Sequence, residues 1–271
     1  MRKTEPTPKE REALSRDSNR ITFGEVSSFY DNYTSQLLGD FVYGNLRFQK
    51  AIRFVQSHLP CTATSILDIG RGIGYSSSII SELVPSAKVT GLDISPALTS
   101  VAQKLFTSKQ LYFVTGNVLQ EDIIAGPFDV IVLIDCYEHI PASERHKLHS
   151  CFNRWLGPNG RLLITAPSPQ HQEDLRRNNP EGLQVVDETV TAADMVQLAS
   201  DVRATLTHFS SVECWSSNQY LHVCIERQPE YRNNTEGQKK RSPVSLVELI
   251  RKRRQFMNKR RLVKRALGLD I

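Results

Sequence analysis

Two aspartates and three glycines near residue 70 have the types and spacing of a nucleoside-binding site. Asp68 precedes the glycines of the run Gly70-Arg-Gly72-Ile-Gly74, and Asp93 comes nineteen residues after the last of them. Glycines let a chain turn sharply and let a ligand lie against bare backbone. A carboxylate at the position of Asp93 can accept hydrogen bonds from two ribose hydroxyls. These residues therefore predict a site that holds a nucleoside.

The spacing of the glycines differs from that of enzymes that bind nicotinamide dinucleotides. The run lacks the two-residue gap that seats a pyrophosphate in those proteins. Asp68, two residues before the first glycine, would repel a pyrophosphate but suits an amino-acid ammonium group. A nicotinamide-binding unit or a purely structural unit remains the alternative at this point.

In this combination the stretch resembles motif I of the class I S-adenosylmethionine-dependent methyltransferases, and Asp93 resembles the acid at their second strand. The resemblance covers about residues 40–227. It implies an α/β fold of the Rossmann-like class I methyltransferase type: a seven-stranded, mostly parallel sheet with helices on both faces and an antiparallel last strand. It also implies S-adenosyl-L-methionine as the cofactor. The contacts implied in this region are Asp68, Gly70, Gly72, Gly74, Asp93 and Ile94.

Further cofactor contacts are expected after the third and fourth strands. Asn117 and Val118 follow the third strand, where the family usually places an acid against the adenine amino group. The amide oxygen of Asn117 can accept that hydrogen bond, although asparagine is also a common turn residue. Asp135 follows the fourth strand, and the carboxyl ends of such strands face the ligand crevice. We therefore expect Asp135 to lie near the transferable methyl group.

The segment from Asp135 to Pro141 resembles the acid-x-x-Glu-His signature of small-molecule methyltransferases of the type 11 and type 12 groups. In ubiquinone-pathway O-methyltransferases a similar run binds a divalent cation. Asp135, Glu138 and His139 could hold magnesium in the same way, because two carboxylates and an imidazole suit a hard metal ion. Glu138 and His139 could instead only cap and orient the next helix.

Methyl transfer to a hydroxyl needs in-line positioning and a base that takes the hydroxyl proton. The candidate bases are His139, then His171 and Glu173 in the loop after the fifth strand, then Asp187 and Glu188. Each of these loop residues could also be an ordinary solvated side chain.

Strands and helices that position these residues alternate along the chain. Uninterrupted apolar runs predict parallel strands covered on both faces, within a core over residues 60–228. Residues 21–59 predict a helical cap, and a polar stretch follows Pro167 up to residue 190. The predicted elements are 65–69, 75–84, 88–92, 96–107, 111–115, 128–134, 143–156, 160–166, 191–201, 205–214 and 219–226, the last two forming a β-hairpin.

The basic residues are concentrated in the last part of the sequence. The net charge is +5, but residues 229–271 alone hold 13 basic against 4 acidic residues. Residues 1–20 are predicted to be disordered, and residues 229–271 to form a polar linker and a basic amphipathic helix. This helix could pack on the protein, bind an anionic membrane surface or a protein partner, or bind nucleic acid. The acidic remainder disfavours a nucleic-acid groove through the active site.

Composition and missing motifs exclude several classes of protein. There is no apolar run near 18 residues, and the five cysteines include no C-x-x-C pair, which favours reduced thiols in the cytoplasm. The motifs of adenine-N6 and cytosine-C5 methylases are missing after the fourth strand. The sequence predicts a cytoplasmic enzyme, or one peripheral at a membrane, that methylates a small molecule or saccharide at oxygen, as in secondary metabolism. Methylation of nitrogen or carbon, and a non-catalytic scaffold subunit, are the alternatives.

Overall fold

A seven-stranded sheet forms the centre of the computed structural model, which describes residues 22–120, 122–229 and 258–271. Its strands are β1 (Ser65–Ile69), β2 (Lys88–Asp93), β3 (Leu111–Thr115), β4 (Phe128–Ile134), β5 (Leu156–Pro167), β6 (Thr205–Val212) and β7 (Tyr220–Glu226). Their spatial order is β3-β2-β1-β4-β5-β7-β6. Strands β1 to β5 are parallel, and β7 is antiparallel to both β5 and β6. The predicted fold is confirmed.

Helices cover both faces of the sheet and its ligand-facing edge. Their starts follow local chemistry; for example, Ser95 accepts a hydrogen bond from the Leu98 N–H, and Pro96 fills the first turn. The helices are α1 (Phe23–Asn32), α2 (Thr34–Tyr43), α3 (Leu46–His58), α4 (Tyr75–Leu83), α5 (Pro96–Leu105), α6 (Arg145–Trp155), α7 (Pro169–Asn178), α8 (Ala192–Asp201) and α9 (258–267).

Strand β4 shows how the two apolar layers are built. Alternate side chains of a strand point to opposite faces, so a strand covered on both faces is apolar at most of its positions. Ile131 and Leu133 join the core that includes Trp155 of α6. Val130 and Val132 join the core on the other face, which includes Phe54 of α3. The apolar run that predicted this strand thus reflects burial on both sides.

The structure differs from the predicted elements in the segment after β5. Residues 169–178 form helix α7, although this polar stretch was predicted to have no regular structure. Two local signals support the helix: Ser168 caps it by accepting from the His171 N–H (3.2 Å), and Pro169 fills its first turn. The buried residue of this helix is the polar Gln172, so hydrophobic periodicity could not predict the helix.

The ends of the chain are described only in part. The predicted disorder of residues 1–20 and the polar linker that begins at residue 229 lie almost entirely outside the described residues, as does the first part of the predicted basic helix. Its last part is present as α9. Among the described helices, none combines the length and the apolar character that a membrane crossing requires.

Candidate active site

The glycine run between β1 and α4 follows a tight path with positive φ at each glycine. The φ angles are 67° at Gly70, 56° at Gly72 and 84° at Gly74. A Cβ at Gly70 would lie 2.7 Å from the Cβ of Cys136, because the chain after β4 passes close to the loop. Glycine tolerates both the backbone conformation and this approach. The loop therefore presents bare backbone beside the carboxyl ends of β1 and β4.

Asp68 in β1 is buried, with one carboxylate oxygen engaged and the other without a partner. Oδ2 accepts hydrogen bonds of 2.6 Å from the hydroxyls of Ser76 and Ser77 in the first turn of α4. Oδ1 is buried and has no hydrogen-bond partner among the described residues. Burial raises the pKa of Asp68 to about 6, although the two serines lower it. A cationic ligand group beside Oδ1 would satisfy this oxygen.

Asp93 is the last residue of β2, and its carboxylate binds a backbone N–H group of the glycine loop. Oδ2 accepts from the Gly72 N–H (2.7 Å), and Oδ1 accepts from the Ser95 N–H (3.0 Å). Burial raises the pKa of Asp93, and the charge of Arg71 opposes this rise. Each carboxylate oxygen can accept a second hydrogen bond, so the geometry is compatible with a ribose contact. That contact stays a prediction.

Arg71 has a role in this region that the sequence analysis did not assign. Its side chain is buried, and its guanidinium donates to the Gly72 carbonyl oxygen (2.7 Å) and to the Thr99 hydroxyl (2.8 Å). Its charge lowers the pKa of Asp68 and of Asp93, against the effect of burial. Arg71 is therefore a buried cation that helps to keep two buried acids ionised. A charged residue inside a glycine run was the only sequence signal for it.

The other predicted cofactor residues lie around the same strand ends. The Ile94 carbonyl oxygen accepts from the hydroxyl of Ser27 in α1 (3.3 Å), so this helix closes against the end of β2. Asn117 Oδ1 accepts from the Leu119 N–H (2.9 Å), which favours its interpretation as a turn residue. Val118 is buried in the main core.

Asp135 joins the end of β4 to the helices that cover it. Its φ is 49°, an uncommon value for a residue with a side chain. Oδ1 accepts from the hydroxyl of Thr165 (3.0 Å), and Oδ2 lies 3.1 Å from Arg47 Nε in α3. The guanidinium carbon of Arg47 lies 5.6 Å from the centre of the Tyr220 ring. An ion pair and an aromatic ring thus lie at the carboxyl end of β4, beside the glycine loop.

Glu138 and His139 are buried next to each other after β4. His139 Nδ1 donates to the Val186 carbonyl oxygen (2.8 Å), which leaves the lone pair of a neutral imidazole on Nε2. Nε2 lies 3.8 Å from Glu138 Oε1, beyond hydrogen-bond distance. Burial lowers the pKa of His139 and raises the pKa of Glu138 well above its ordinary value. The pair therefore favours an uncharged imidazole beside a protonated carboxyl.

The two loop residues proposed as bases lie on α7 and differ in exposure. His171 is half-buried; its Nε2 lies 3.3 Å from Gln219 Nε2, and its ring lies 5.3 Å from that of Tyr220. Glu173 is 53% exposed and pairs with Arg177 one turn later. Glu173 therefore points to solvent as part of a surface ion pair, and its side chain is not placed to take a proton in the crevice.

Residues of α1 and of the segment after α7 cover the carboxyl end of β4. The hydroxyl of Tyr30 donates to Gln184 Oε1 (2.6 Å), and the Tyr30 ring lies 6.2 Å from that of His139. Gln172 Nε2 donates to Asp187 Oδ1 (2.5 Å), while Gln172 Oε1 is buried without a partner among the residues described. Tyr30 belongs to the predicted helical cap, whereas the sequence analysis assigned no role to Gln172, because its contact joins segments that are distant in the chain.

Comparison with known proteins shows which family part of this arrangement resembles. Residues 66–160 match the family model of a methyltransferase domain, and they contain the glycine loop, both buried acids and the Glu138-His139 pair. Residues 66–160 are therefore similar to a methyltransferase domain. A magnesium protoporphyrin IX methyltransferase from Synechocystis, solved with bound S-adenosylhomocysteine, has the same fold as the methyltransferase domain. Its TM-score is 0.60 at 19% identity, over 76% of this chain and 99% of that one.

Curated relatives match the methyltransferase domain over part of their length. The phosphoethanolamine N-methyltransferase of Plasmodium falciparum is 29% identical over 103 residues, which are 38% of each protein. A malonyl-[acyl-carrier protein] O-methyltransferase of Paenibacillus is 30% identical over 117 residues, 40% of each protein. The chain thus spans about two fifths of these relatives. These relatives differ in the acceptors that their names state.

The methyltransferase domain does not arrange its predicted metal ligands as a metal site. Asp135 Oδ2 faces Arg47, and His139 Nδ1 is used by a backbone carbonyl. Within the described ranges, no group of three or more His, Cys, Asp or Glu side chains could hold a metal ion. The predicted set of Asp135, Glu138 and His139 is therefore not assembled among the described residues: Asp135 and His139 have other partners, and Glu138 Oε2 is buried without one.

Proposed function

We propose that the protein transfers a methyl group from S-adenosyl-L-methionine to an oxygen atom of a small molecule or saccharide. The observation that carries this proposal is the geometry of His139. Its Nδ1–H is held by the Val186 carbonyl oxygen, so the lone pair of Nε2 is available near the carboxyl end of β4. A neutral imidazole in this place suits the removal of a hydroxyl proton.

The residues around the glycine loop fit the cofactor. Among the described residues Asp68 Oδ1 has no hydrogen-bond partner, and it would accept from the ammonium group of the methionine part. Asp93 would accept from the ribose hydroxyls, and the bare backbone of the glycine loop admits close approach. When bound, S-adenosyl-L-methionine supplies an activated methyl group on a positively charged sulfur. The protein's own task is then to align the acceptor and to take its proton.

The acceptor side favours a compact polar molecule. Tyr30, Arg47 and Tyr220 bring aromatic and charged groups to the crevice, and the Tyr30–Gln184 hydrogen bond closes it from the side of α1. Aromatic faces with a few directed polar groups suit a sugar or a polar ring. Because the cap covers this side, the acceptor should be a small molecule or the end of a longer one.

Methylation of an amine is the second candidate. The carboxylates of Asp135 and Asp187 lie on the acceptor side, and Arg47 pairs with the first of them. A protonated amine would be attracted to such a site. An amine acceptor would have to lose its proton before transfer, so its rate would rise with pH up to the pKa of the amine itself.

A binding experiment followed by an acceptor screen tests the proposal. Calorimetric titration of S-adenosylhomocysteine should give micromolar binding to the wild type and at least tenfold weaker binding to Asp93→Ala. Glu82→Ala, an exposed acid in α4, is the matched control and should bind like the wild type. Radiolabelled S-adenosyl-L-methionine is then offered with pools of hydroxylated, saccharide and amine acceptors. No cofactor binding, or turnover confined to amines, would overturn the proposal.

A further inference from the structure

Helix α9 packs into a small apolar core that includes the cofactor loop. Val263 is fully buried there, although it belongs to a segment rich in arginine and lysine. The same cluster contains Leu38 of α2, Leu98 of α5 and Ile73. Ile73 is the residue between Gly72 and Gly74. A residue near the C-terminus therefore shares a core with the loop that faces the cofactor.

Lys259 makes a second connection between α9 and the cofactor side. Its ammonium group donates to the hydroxyl of Tyr75 (2.8 Å) and to the Phe41 carbonyl oxygen (3.0 Å). It also lies 4.4 Å from the centre of the Tyr75 ring, within the range of a cation–π contact. Tyr75 is the first residue of α4, directly after Gly74. The two contacts of α9 thus bracket the end of the glycine loop.

The orientation of α9 bears on the interpretation of the described part of the basic tail. Its apolar residues Leu262, Val263 and Ala266 lie in or against the small core, whereas Arg261 and Lys264 are exposed. An amphipathic helix binds a membrane by inserting its apolar face. That face of α9 is already buried in the protein. The described part of the tail therefore packs on the methyltransferase domain.

We propose that Val263 and Lys259 are positioning residues that hold the glycine loop in its binding conformation. This inference rests on the proposed use of S-adenosyl-L-methionine. A loop with three glycines of positive φ loses much conformational entropy when it becomes ordered. If Ile73 and Tyr75 are anchored before the cofactor binds, this entropy is already lost when the protein folds. The affinity for the cofactor is then not reduced by it. Removal of the anchor should then weaken cofactor binding.

Two substitutions and a matched control on the same segment test this role. Val263→Asp places a charge in the small core, and Lys259→Met keeps the stem of the side chain but removes both hydrogen bonds. Leu269→Asp is the control, because Leu269 is an exposed apolar residue six positions after Val263. The dissociation constant of S-adenosylhomocysteine is measured by calorimetry, at a temperature well below each variant's unfolding midpoint. Hydrogen exchange of the amides of residues 70–76 is followed without ligand.

We expect at least tenfold weaker binding for Val263→Asp, about threefold weaker binding for Lys259→Met, and faster exchange of the loop amides in both. Leu269→Asp should match the wild type. If Val263→Asp does not fold, Lys259→Met decides the question. Unchanged affinity and exchange in Lys259→Met and in any folded Val263→Asp, with a wild type that binds, would overturn the positioning role alone. A wild type that does not bind would overturn the proposed cofactor use and this inference together.

Discussion

Nε of Arg47 in α3 lies 3.1 Å from Oδ2 of Asp135, the residue that follows β4. The side chain of Asp135 is 10% exposed and that of Arg47 is 30% exposed, so the pair is largely removed from water. A carboxylate left in this place without its cation would be costly. The pair therefore ties the helical cap to the strand end that carries the candidate catalytic residues.

Replacement of Arg47 by methionine should lower the free energy of unfolding by about 1–3 kcal/mol, because it leaves Asp135 without its cation. Urea unfolding of both proteins measures this loss. Arg177→Met is the matched control, since the Arg177–Glu173 pair is 72% and 53% exposed. That change should cost less than about 1 kcal/mol. Equal losses in the two variants would show that burial of the Arg47 pair has no effect.

Cofactor binding should weaken below about pH 6. Burial raises the pKa of Asp68 to about 6, and only the ionised carboxylate can pair with the ligand ammonium. Above this pH the dissociation constant should be flat, and below it should rise up to about tenfold for each pH unit. Calorimetry between pH 5 and 8 measures the curve. In Asp68→Asn the binding should be weaker and its dissociation constant should no longer depend on pH in this range. If the variant keeps the wild-type curve, another group causes the pH dependence.

Alanine at Gly70 should be strongly destabilising. The φ of 67° and the approach of Cys136 both oppose a side chain there, which predicts a loss of about 2–5 kcal/mol in the free energy of unfolding. Gly39→Ala is the comparison, because Gly39 lies in α2 and a Cβ there would have no neighbour within 4 Å. This change should stabilise by about 0.5–1 kcal/mol. Similar thermal midpoints for the two variants would contradict the described loop.

Substitution of His139 should separate chemistry from cofactor binding. His139→Ala should lower kcat by about 100-fold or more with a hydroxyl acceptor, while the affinity for S-adenosylhomocysteine stays within about twofold. Burial lowers the pKa of His139, so wild-type activity should persist to below pH 6.5 before protonation abolishes it. His146→Ala, at an exposed histidine of α6, is the control. Loss of cofactor affinity in His139→Ala would make this residue a structural one.

Local sequence pattern predicted the strands and the glycine loop because these features are encoded by neighbours in the chain. The apolar run of β4, for instance, predicted residues 128–134, which are the residues of the strand. The polar helix α7 was missed because Gln172, not an apolar side chain, fills its buried position. Arg47 was missed for another reason. Its partner lies 88 residues away, and no local pattern reports such a contact.

Ile73 and Val263 are 190 residues apart in the chain, yet they share one small core. During synthesis the glycine loop leaves the ribosome long before α9 does. Until then the apolar faces of α2 and α5 around Ile73 would be open to water or to chaperones. The small core around the glycine loop would then be completed only when α9, translated about 190 residues after the loop, docks against it.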